Sequence, residues 1–258
     1  MSLWRRERVR VVLTPEQTLV LRPSLARTAA PQSQSLDPVE TPQAYQALAA
    51  CLALPQWRAA GVDIVLSNRW VCYALSEAPG AILRGTEERA LAQARICAVY
   101  GGQAQDWRIS VQSQPPDAGV FAAAIASQRM VNLLAALERA AVSRYTLRPL
   151  LDVAARSMAT SLRAGWWVVV EPGWWCVLKA SRGAWRHVSC QPCGDDWAAR
   201  LAAHLQRSQL LAGEPSAPAQ IWVQPIGCEA TERLTYPAGW AGRLVLPAKS
   251  RMWDWAQI

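Results

Sequence analysis

The 258-residue chain carries a net charge of +8 and is 52% hydrophobic and 18% charged, a balance typical of folded globular proteins rather than disordered ones. A chain of this length buries a sizeable core in one large domain or two smaller ones. No apolar run approaches the roughly 20 residues that span a bilayer, and no long apolar segment follows the Arg-rich start. The sequence therefore predicts neither a transmembrane helix nor a signal peptide.

All but two of the 27 basic residues are arginine, and the clearest cluster is Arg5, Arg6, Arg8 and Arg10. Arginine suits phosphate and carboxylate recognition, so this cluster could contact nucleic acid or an anionic membrane surface. No RNA-binding motif or zinc-finger spacing accompanies it, and we predict a solvated N-terminus without a nucleic-acid partner. The seven cysteines are odd in number and irregularly spaced, which favours free thiols in a reducing compartment.

The first part of the chain reads as alternating strands and helices. Short strands are predicted at residues 8–13, 18–22, 62–66, 70–75, 107–111, 120–124 and 144–147. Helices are predicted after Thr41, Thr86 and Ser127, because a hydroxyl side chain at each position can cap free backbone N–H groups. Pro23 to Thr41 is rich in Pro, Ser, Gln and Ala and predicts a long surface loop.

A tryptophan-rich segment follows a further helix that is predicted from Pro149 to about Leu162. Hairpin-linked strands are predicted at residues 166–170, 174–180 and 184–190, with later strands at 221–223 and 244–246. Glu171-Pro172-Gly173 forms the first turn, because Pro presets one φ and Gly accepts a positive φ. Gly194-Asp195-Asp196 opens a helix with its carboxylates in the first turn.

The stretch from Gly165 to Leu205 resembles the second phosphate-loop half of the PilM-like and GspL-like proteins of type IV pilus and type II secretion machines. The resemblance implies an α/β, actin-like (ribonuclease-H-like) duplicated fold, with two subdomains of mixed sheets flanked by helices. We expect an N-terminal subdomain at residues 1–145, including the loop at 23–41, and a C-terminal subdomain at 146–258. A hairpin occupies a matching place in each half, which supports the duplication.

The resemblance also places a degenerate nucleotide site. It implies that the carboxylates of Glu171 and Asp195 would hold Mg²⁺ and that Gly173 and Gly194 would belong to the phosphate-binding loops, while Trp174 stands where a Thr or Ser is expected. An indole there would obstruct a phosphate unless it stacked on a base. The first loop, Thr14-Pro15-Glu16-Gln17, contains neither the Asp nor the Gly that such a loop needs. We therefore predict no catalytic residue, no metal site and no required cofactor, with weak binding of ATP and Mg²⁺ left open.

His187, Cys190 and Cys193 form an H-x-x-C-x-x-C pattern that admits two functional interpretations. Zinc normally needs a fourth protein ligand, and alternation along a strand places His187 and Cys190 on opposite faces. A redox pair at Cys190 and Cys193 would precede a helix, but no thioredoxin-like context surrounds it. Two buried thiols are the favoured interpretation.

The resemblance implies a non-catalytic cytoplasmic adaptor or scaffold of a type IV pilus or type II secretion-like assembly. Such an adaptor would dock on the cytoplasmic segment of an inner-membrane partner, with an assembly ATPase as a second candidate partner. It would lie at the inner membrane through these partners. The alternatives are a nucleotide-binding or ATP-hydrolysing enzyme of the actin-like or sugar-kinase fold and a basic nucleic-acid-binding module.

Overall fold

The structure is a computed structural model that describes residues 8–22, 32–158, 164–212, 220–228 and 234–245. Over these ranges the chain forms thirteen strands and five α-helices. The strands are β1 (Arg8–Leu13), β2 (Thr18–Arg22), β3 (Gln32–Leu36), β4 (Gly61–Leu66), β5 (Cys72–Leu75), β6 (Arg108–Gln112), β7 (Phe121–Ile125), β8 (Tyr145–Pro149), β9 (Gly165–Glu171), β10 (Trp174–Ser181), β11 (Ala184–Pro192), β12 (Gln220–Pro225) and β13 (Ala241–Leu244). The helices are α1 (Pro42–Ala53), α2 (Gly85–Tyr100), α3 (Ser127–Arg139), α4 (Leu150–Met158) and α5 (Trp197–Leu211).

The chain packs as two compact units that are each discontinuous in sequence. The first contains Met1–Val71 and Ile125–Val153, and the second contains Cys72–Ala124 and Ala154–Ile258. These units are defined by which residues pack together. Their boundaries therefore differ from the predicted boundary between residues 145 and 146. That boundary between two actin-like subdomains remains a prediction.

In the first unit, a five-stranded sheet has the order β3-β2-β1-β4-β8. The strands β3, β2 and β1 are antiparallel neighbours, whereas β4 and β8 extend the sheet in parallel. Helix α1 begins at Pro42 because the Thr41 side chain accepts a hydrogen bond from the Ala44 N–H at 3.2 Å. The buried Asn68 side chain accepts a hydrogen bond from the Leu151 N–H at 3.0 Å and so caps the start of α4.

In the second unit, a five-stranded sheet has the order β11-β10-β9-β12-β13. The strands β11, β10 and β9 are antiparallel neighbours, and β12 and β13 add in parallel. This is the same order of pairings as in the first unit, which supports the expected duplication. Helix α5 packs Trp197, Leu201 and Leu205 against one face of this sheet, as their spacing predicts.

The second unit also contains a three-stranded sheet with the order β5-β7-β6, covered by α2. Ala92 and Ile96 of the helix are fully buried against the sheet residues Ile109 and Ala122. Helix α2 ends where Gly101 takes a φ of 87°. Glycine adopts a positive φ at little steric cost, which allows the chain to leave the helix here.

The structure confirms most predicted elements and corrects three. The long loop predicted at residues 23–41 contains β3, because Gln32–Leu36 pairs with the free edge of β2 although its polar sequence lacks apolar alternation. Residues 23–31 lie outside the described ranges. Helices α2 and α3 each begin earlier than expected, with Arg84 and Ala126 rather than Thr86 and Ser127 as the N-cap residues.

The N-terminal arginine cluster is described only from Arg8 onwards. Arg8 forms an ion pair with Asp63 across the β1–β4 pairing, and burial lowers the pKa of the neighbouring Arg10. These two side chains therefore belong to the sheet, which departs from the prediction of a solvated segment. Among the described residues, no helix combines the length and the apolar character that crossing a bilayer requires.

Gly119 and Gly183 provide a matched test of close packing in the second unit. Both have a φ of +77°, but a Cβ on Gly119 would collide with the carbonyl oxygen of Ser76, whereas a Cβ on Gly183 meets open space. We expect Gly183→Ala to lower the free energy of unfolding by about 1 kcal/mol through backbone strain alone. Gly119→Ala should lower it by about 3 kcal/mol or more, because the clash adds to that strain.

The measurement is urea unfolding followed by tryptophan fluorescence for the two variants and the wild type. Equal losses of stability in the two variants would contradict the close contact between Gly119 and Ser76.

Candidate functional site

The first loop, Thr14–Gln17, is closed by its own hydrogen bonds. The Thr14 N–H donates to the Gln17 carbonyl oxygen at 3.0 Å, and the Gln17 N–H donates to the Thr14 hydroxyl at 3.1 Å. The Glu16 carboxylate forms an ion pair with Arg69. The loop thus presents an anionic side chain, and two of its N–H groups are already used. Both features disfavour phosphate binding.

The second loop joins β9 to β10 and holds three of the predicted nucleotide-site residues. Glu171 ends β9 and is only 2% exposed, while Gly173 has a φ of 69° in the turn that follows. Trp174 begins β10 and lies opposite Glu171 in the strand register. The Gly-containing turn has the predicted conformation, but its first residue is a buried carboxylate and its last is a bulky indole.

The start of α5 lies against this turn. The Cys193 N–H donates a hydrogen bond to the Gly173 carbonyl oxygen at 3.0 Å, so the structure brings the two predicted segments together. Asp195 is exposed, and Asp196 occupies the N-cap position, where its carboxylate accepts a hydrogen bond from Arg200 at 2.7 Å. Both carboxylates therefore precede the first turn of the helix rather than lying within it, because the helix begins at Trp197.

Two thiols, those of Cys176 and Cys228, lie near the Glu171 carboxylate. The Cys228 thiol donates to the Val170 carbonyl oxygen at 3.6 Å. Burial raises the pKa of this thiol to about 12, and the nearby Cys193 and Glu171 contribute to that rise. A neutral thiol does not compensate the charge of a phosphate. The assignment of Glu171, Gly173, Trp174, Gly194 and Asp195 to a nucleotide site remains a prediction.

The H-x-x-C-x-x-C pattern does not converge in space. The His187 ring meets the edge of the Trp166 ring at 5.7 Å between centroids, whereas Cys190 lies opposite Cys176 in the register of β10 and β11. Alternation puts these two neighbourhoods on opposite faces of the sheet. Within the described ranges, no group of three His, Cys, Asp or Glu side chains could hold a metal ion.

A cavity of about 710 Å³ lies in the second unit, and no sequence motif indicates it. Its wall combines residues 73–78, which include most of β5 and the segment after it, with the end of α2 near Tyr100 and residues 186–190 of β11. Arg95 and Arg186 bring two guanidinium groups to the wall, and Asp117 pairs with Arg186 at 2.7 Å. A local motif could not predict such a cavity, because its wall joins segments that are about a hundred residues apart in the chain.

The fold has clear counterparts among solved structures. The cytoplasmic domain of EpsL, an inner-membrane component of the type II secretion system of Vibrio cholerae, matches with a TM-score of 0.59 at 12% identity, over 94% of this chain and 90% of that one. The PilM–PilN type IV pilus biogenesis complex matches with a TM-score of 0.56 at 14% identity, over 85% and 81% of the two chains.

A third counterpart is a Bacteroides thetaiotaomicron protein of unknown function with an actin-like ATPase fold. It matches with a TM-score of 0.55 at 8% identity, over 87% of this chain and 85% of that one. A scan against protein-family models finds no match, and neither does a search of curated proteins. At these identities the likeness shows the fold: the chain is an α/β protein with the actin-like fold, which confirms the predicted fold class and its resemblance to the GspL and PilM folds.

His187 makes the stability of the protein dependent on pH. Burial, with smaller contributions from the nearby His204 and Lys179, lowers its pKa from 6.5 to about 4. Below pH 6.5 the unfolded chain therefore binds a proton at His187 that the folded chain does not bind. The contribution of neutral His187 to the free energy of unfolding is complete above pH 6.5 and is lost as the pH falls towards 4. We expect this histidine to remove up to about 2 kcal/mol of stability between pH 7 and pH 5.

Urea unfolding at a series of pH values tests this dependence. His187→Gln should flatten the decline. Burial also lowers the pKa of His204 on α5, so the comparison variant His204→Gln should flatten the decline to a smaller extent. A decline that is unchanged in His187→Gln would show that His187 does not cause it.

Proposed function

We propose that the protein is a non-catalytic, actin-like adaptor of a type IV pilus or type II secretion-like assembly, and that it docks on an inner-membrane partner. The observation that carries the proposal is the likeness to the EpsL cytoplasmic domain, which extends over 94% of this chain and 90% of that domain. The PilM–PilN complex supplies a second, separate counterpart from a pilus system. Fold-level analogy gives the class of function, and the loops argue against catalysis.

The chemistry of the loops supports a role without ATP hydrolysis. Phosphoryl transfer in this fold needs carboxylates placed for Mg²⁺ and glycine loops with free N–H groups. Here Thr14 and Gln17 bond to each other, and Glu16 pairs with Arg69. Trp174 stands where the resemblance leads us to expect a small hydroxyl residue. Each feature makes phosphate binding at these loops less favourable.

The proposed partner is the cytoplasmic segment of an inner-membrane assembly protein, with an assembly ATPase as a second component. PilM, one of the structural counterparts, forms a type IV pilus biogenesis complex with PilN. EpsL is itself an inner-membrane component of its secretion system. The proposed location is the cytoplasmic side of the inner membrane, reached through the partner.

Cross-linking in native cells, followed by affinity capture of the tagged full chain, tests the adaptor role. We expect an inner-membrane component of a pilus or secretion system to be captured in excess over a tagged, unrelated control protein. Asp195→Ala changes an exposed residue of the predicted nucleotide site. It should leave capture unchanged, since an adaptor of this kind does not depend on ATP. Capture of no such component would count against the proposal.

Nucleotide binding separates the adaptor from an enzyme of the same fold. Calorimetric titration of the purified chain with Mg-ATP should give no saturable heat up to millimolar nucleotide, because the first loop uses two of its N–H groups internally and the Trp174 indole would obstruct the second. Saturable binding that is weakened in Asp195→Ala would support the nucleotide-dependent enzyme instead. Saturable binding that Asp195→Ala leaves intact would place a nucleotide site elsewhere on the chain.

A further inference from the structure

Three thiols and a phenol interact in the second unit, outside the loops that the proposed function concerns. They are Cys72 of β5, Tyr100 of α2, Cys176 of β10 and Cys190 of β11. The Cys72 thiol contacts the Tyr100 hydroxyl, and Tyr100 lies close enough to Cys190 and Cys176 for their charges to affect its pKa. Cys176 is fully buried, whereas Cys190 is partly exposed and lines the 710 Å³ cavity.

The strand register places Cys176 and Cys190 directly opposite each other. In an antiparallel ladder, hydrogen-bonded and non-hydrogen-bonded pairs alternate. The Cys193 N–H bonds to the Gly173 carbonyl oxygen, so Gly173 and Cys193 form a hydrogen-bonded pair. Three positions further along, Cys176 and Cys190 form a non-hydrogen-bonded pair.

Non-hydrogen-bonded pairs bring side chains close together, with a Cα separation of about 4.5 Å. That separation lies within the range of about 4.4 to 6.8 Å that a disulfide spans. The side chains also meet: contact with Cys190 adds to the effect of burial in raising the pKa of the Cys176 thiol. The strand register thus places the two cysteines at a backbone separation that a disulfide can span.

We propose that Cys176 and Cys190 form a redox-modifiable dithiol, oxidised to a cross-strand disulfide by a small carboxylate-bearing disulfide that enters the neighbouring cavity. The cavity has the size of a small-molecule site. Arg95 is exposed on its wall, and the Nε of its guanidinium donates to the Leu75 carbonyl oxygen at 3.0 Å. The terminal N–H groups of Arg95 suit a carboxylate.

The exchange has two steps. The Cys190 thiolate attacks one sulfur of the small disulfide, which forms a mixed disulfide and releases the first small thiolate. Cys176 then attacks the Cys190 sulfur, its proton passes to the second departing thiolate, and the protein disulfide forms. The protein loses two electrons and two protons, and one small disulfide becomes two small thiols.

Cys190 reacts first because it lines the cavity, whereas Cys176 has no exposed surface and a thiol whose pKa is raised by burial. Cys72 is the competing partner. It belongs to another sheet and contacts Tyr100, and burial raises its pKa to about 11. No strand register aligns it with Cys190 among the described pairings, so the cross-strand partner is favoured.

The test is to incubate the folded, reduced full chain with glutathione disulfide, block the remaining thiols, and map tryptic peptides without reduction. Two of the seven thiols should be lost. The cross-link should join residues 164–179, which contain Cys176, to residues 187–200, which contain Cys190 and Cys193. Cys193→Ser is the matched control within the second peptide, and it should keep the cross-link.

The variant Cys190→Ser should abolish the cross-link, and Cys176→Ser should stop the reaction at a glutathione adduct on Cys190. Mapping of the wild-type chain remains decisive if the buried Cys176 variant fails to fold. A bond from Cys190 to Cys72, loss of the link in Cys193→Ser, a wild-type adduct that never resolves, or seven unreacted thiols would each overturn the proposal.

Discussion

The second unit depends on burying two adjacent tryptophans, Trp166 and Trp167, on opposite faces of the central strand β9. Burying an indole N–H without a hydrogen-bond acceptor would be costly, and each of these two donates to a glutamine side chain. Trp166 donates to Gln209 of α5 at 3.1 Å, and Trp167 donates to Gln224 of β12 at 3.3 Å. These bonds fix where α5 lies on one face and how β12 registers beside β9. Gly165 precedes the pair and leaves no room for a side chain, because a Cβ there would lie 2.6 Å from the Gln220 carbonyl oxygen.

This arrangement accounts for the shape of the predicted phosphate-loop segment. The turn after β9 and the start of α5 are held together by the sheet and by the Cys193–Gly173 hydrogen bond, both of which are independent of any nucleotide. Glu171 is buried at the end of β9, close to the Cys228 thiol. The geometry of this segment therefore follows from packing and hydrogen bonding within the second unit.

Much of this architecture is predictable from the sequence, because local patterns encode local structure. Strand β9 contains a long apolar run, β1 and β4 each end in three apolar residues, and Thr41-Pro42 marks the start of α1. The sequence does not predict strand β3, because an exposed edge strand needs no apolar alternation. This segment is a strand because it pairs with β2. The predicted loop segments do meet, but the cavity and the Cys176–Cys190 pair arise from long-range register, which no short motif specifies.

The uneven placement of tryptophan has a spectroscopic consequence. Most of the tryptophans that the structure describes lie in the second unit, where Trp167 stacks on Trp185 with ring centroids 5.8 Å apart and Trp166 stacks on Trp240 at 6.1 Å. Parallel indoles this close couple their electronic transitions and share excitation energy. Near-ultraviolet circular dichroism and intrinsic emission are therefore dominated by one unit. Loss of structure confined to the first unit would leave both optical signals nearly unchanged.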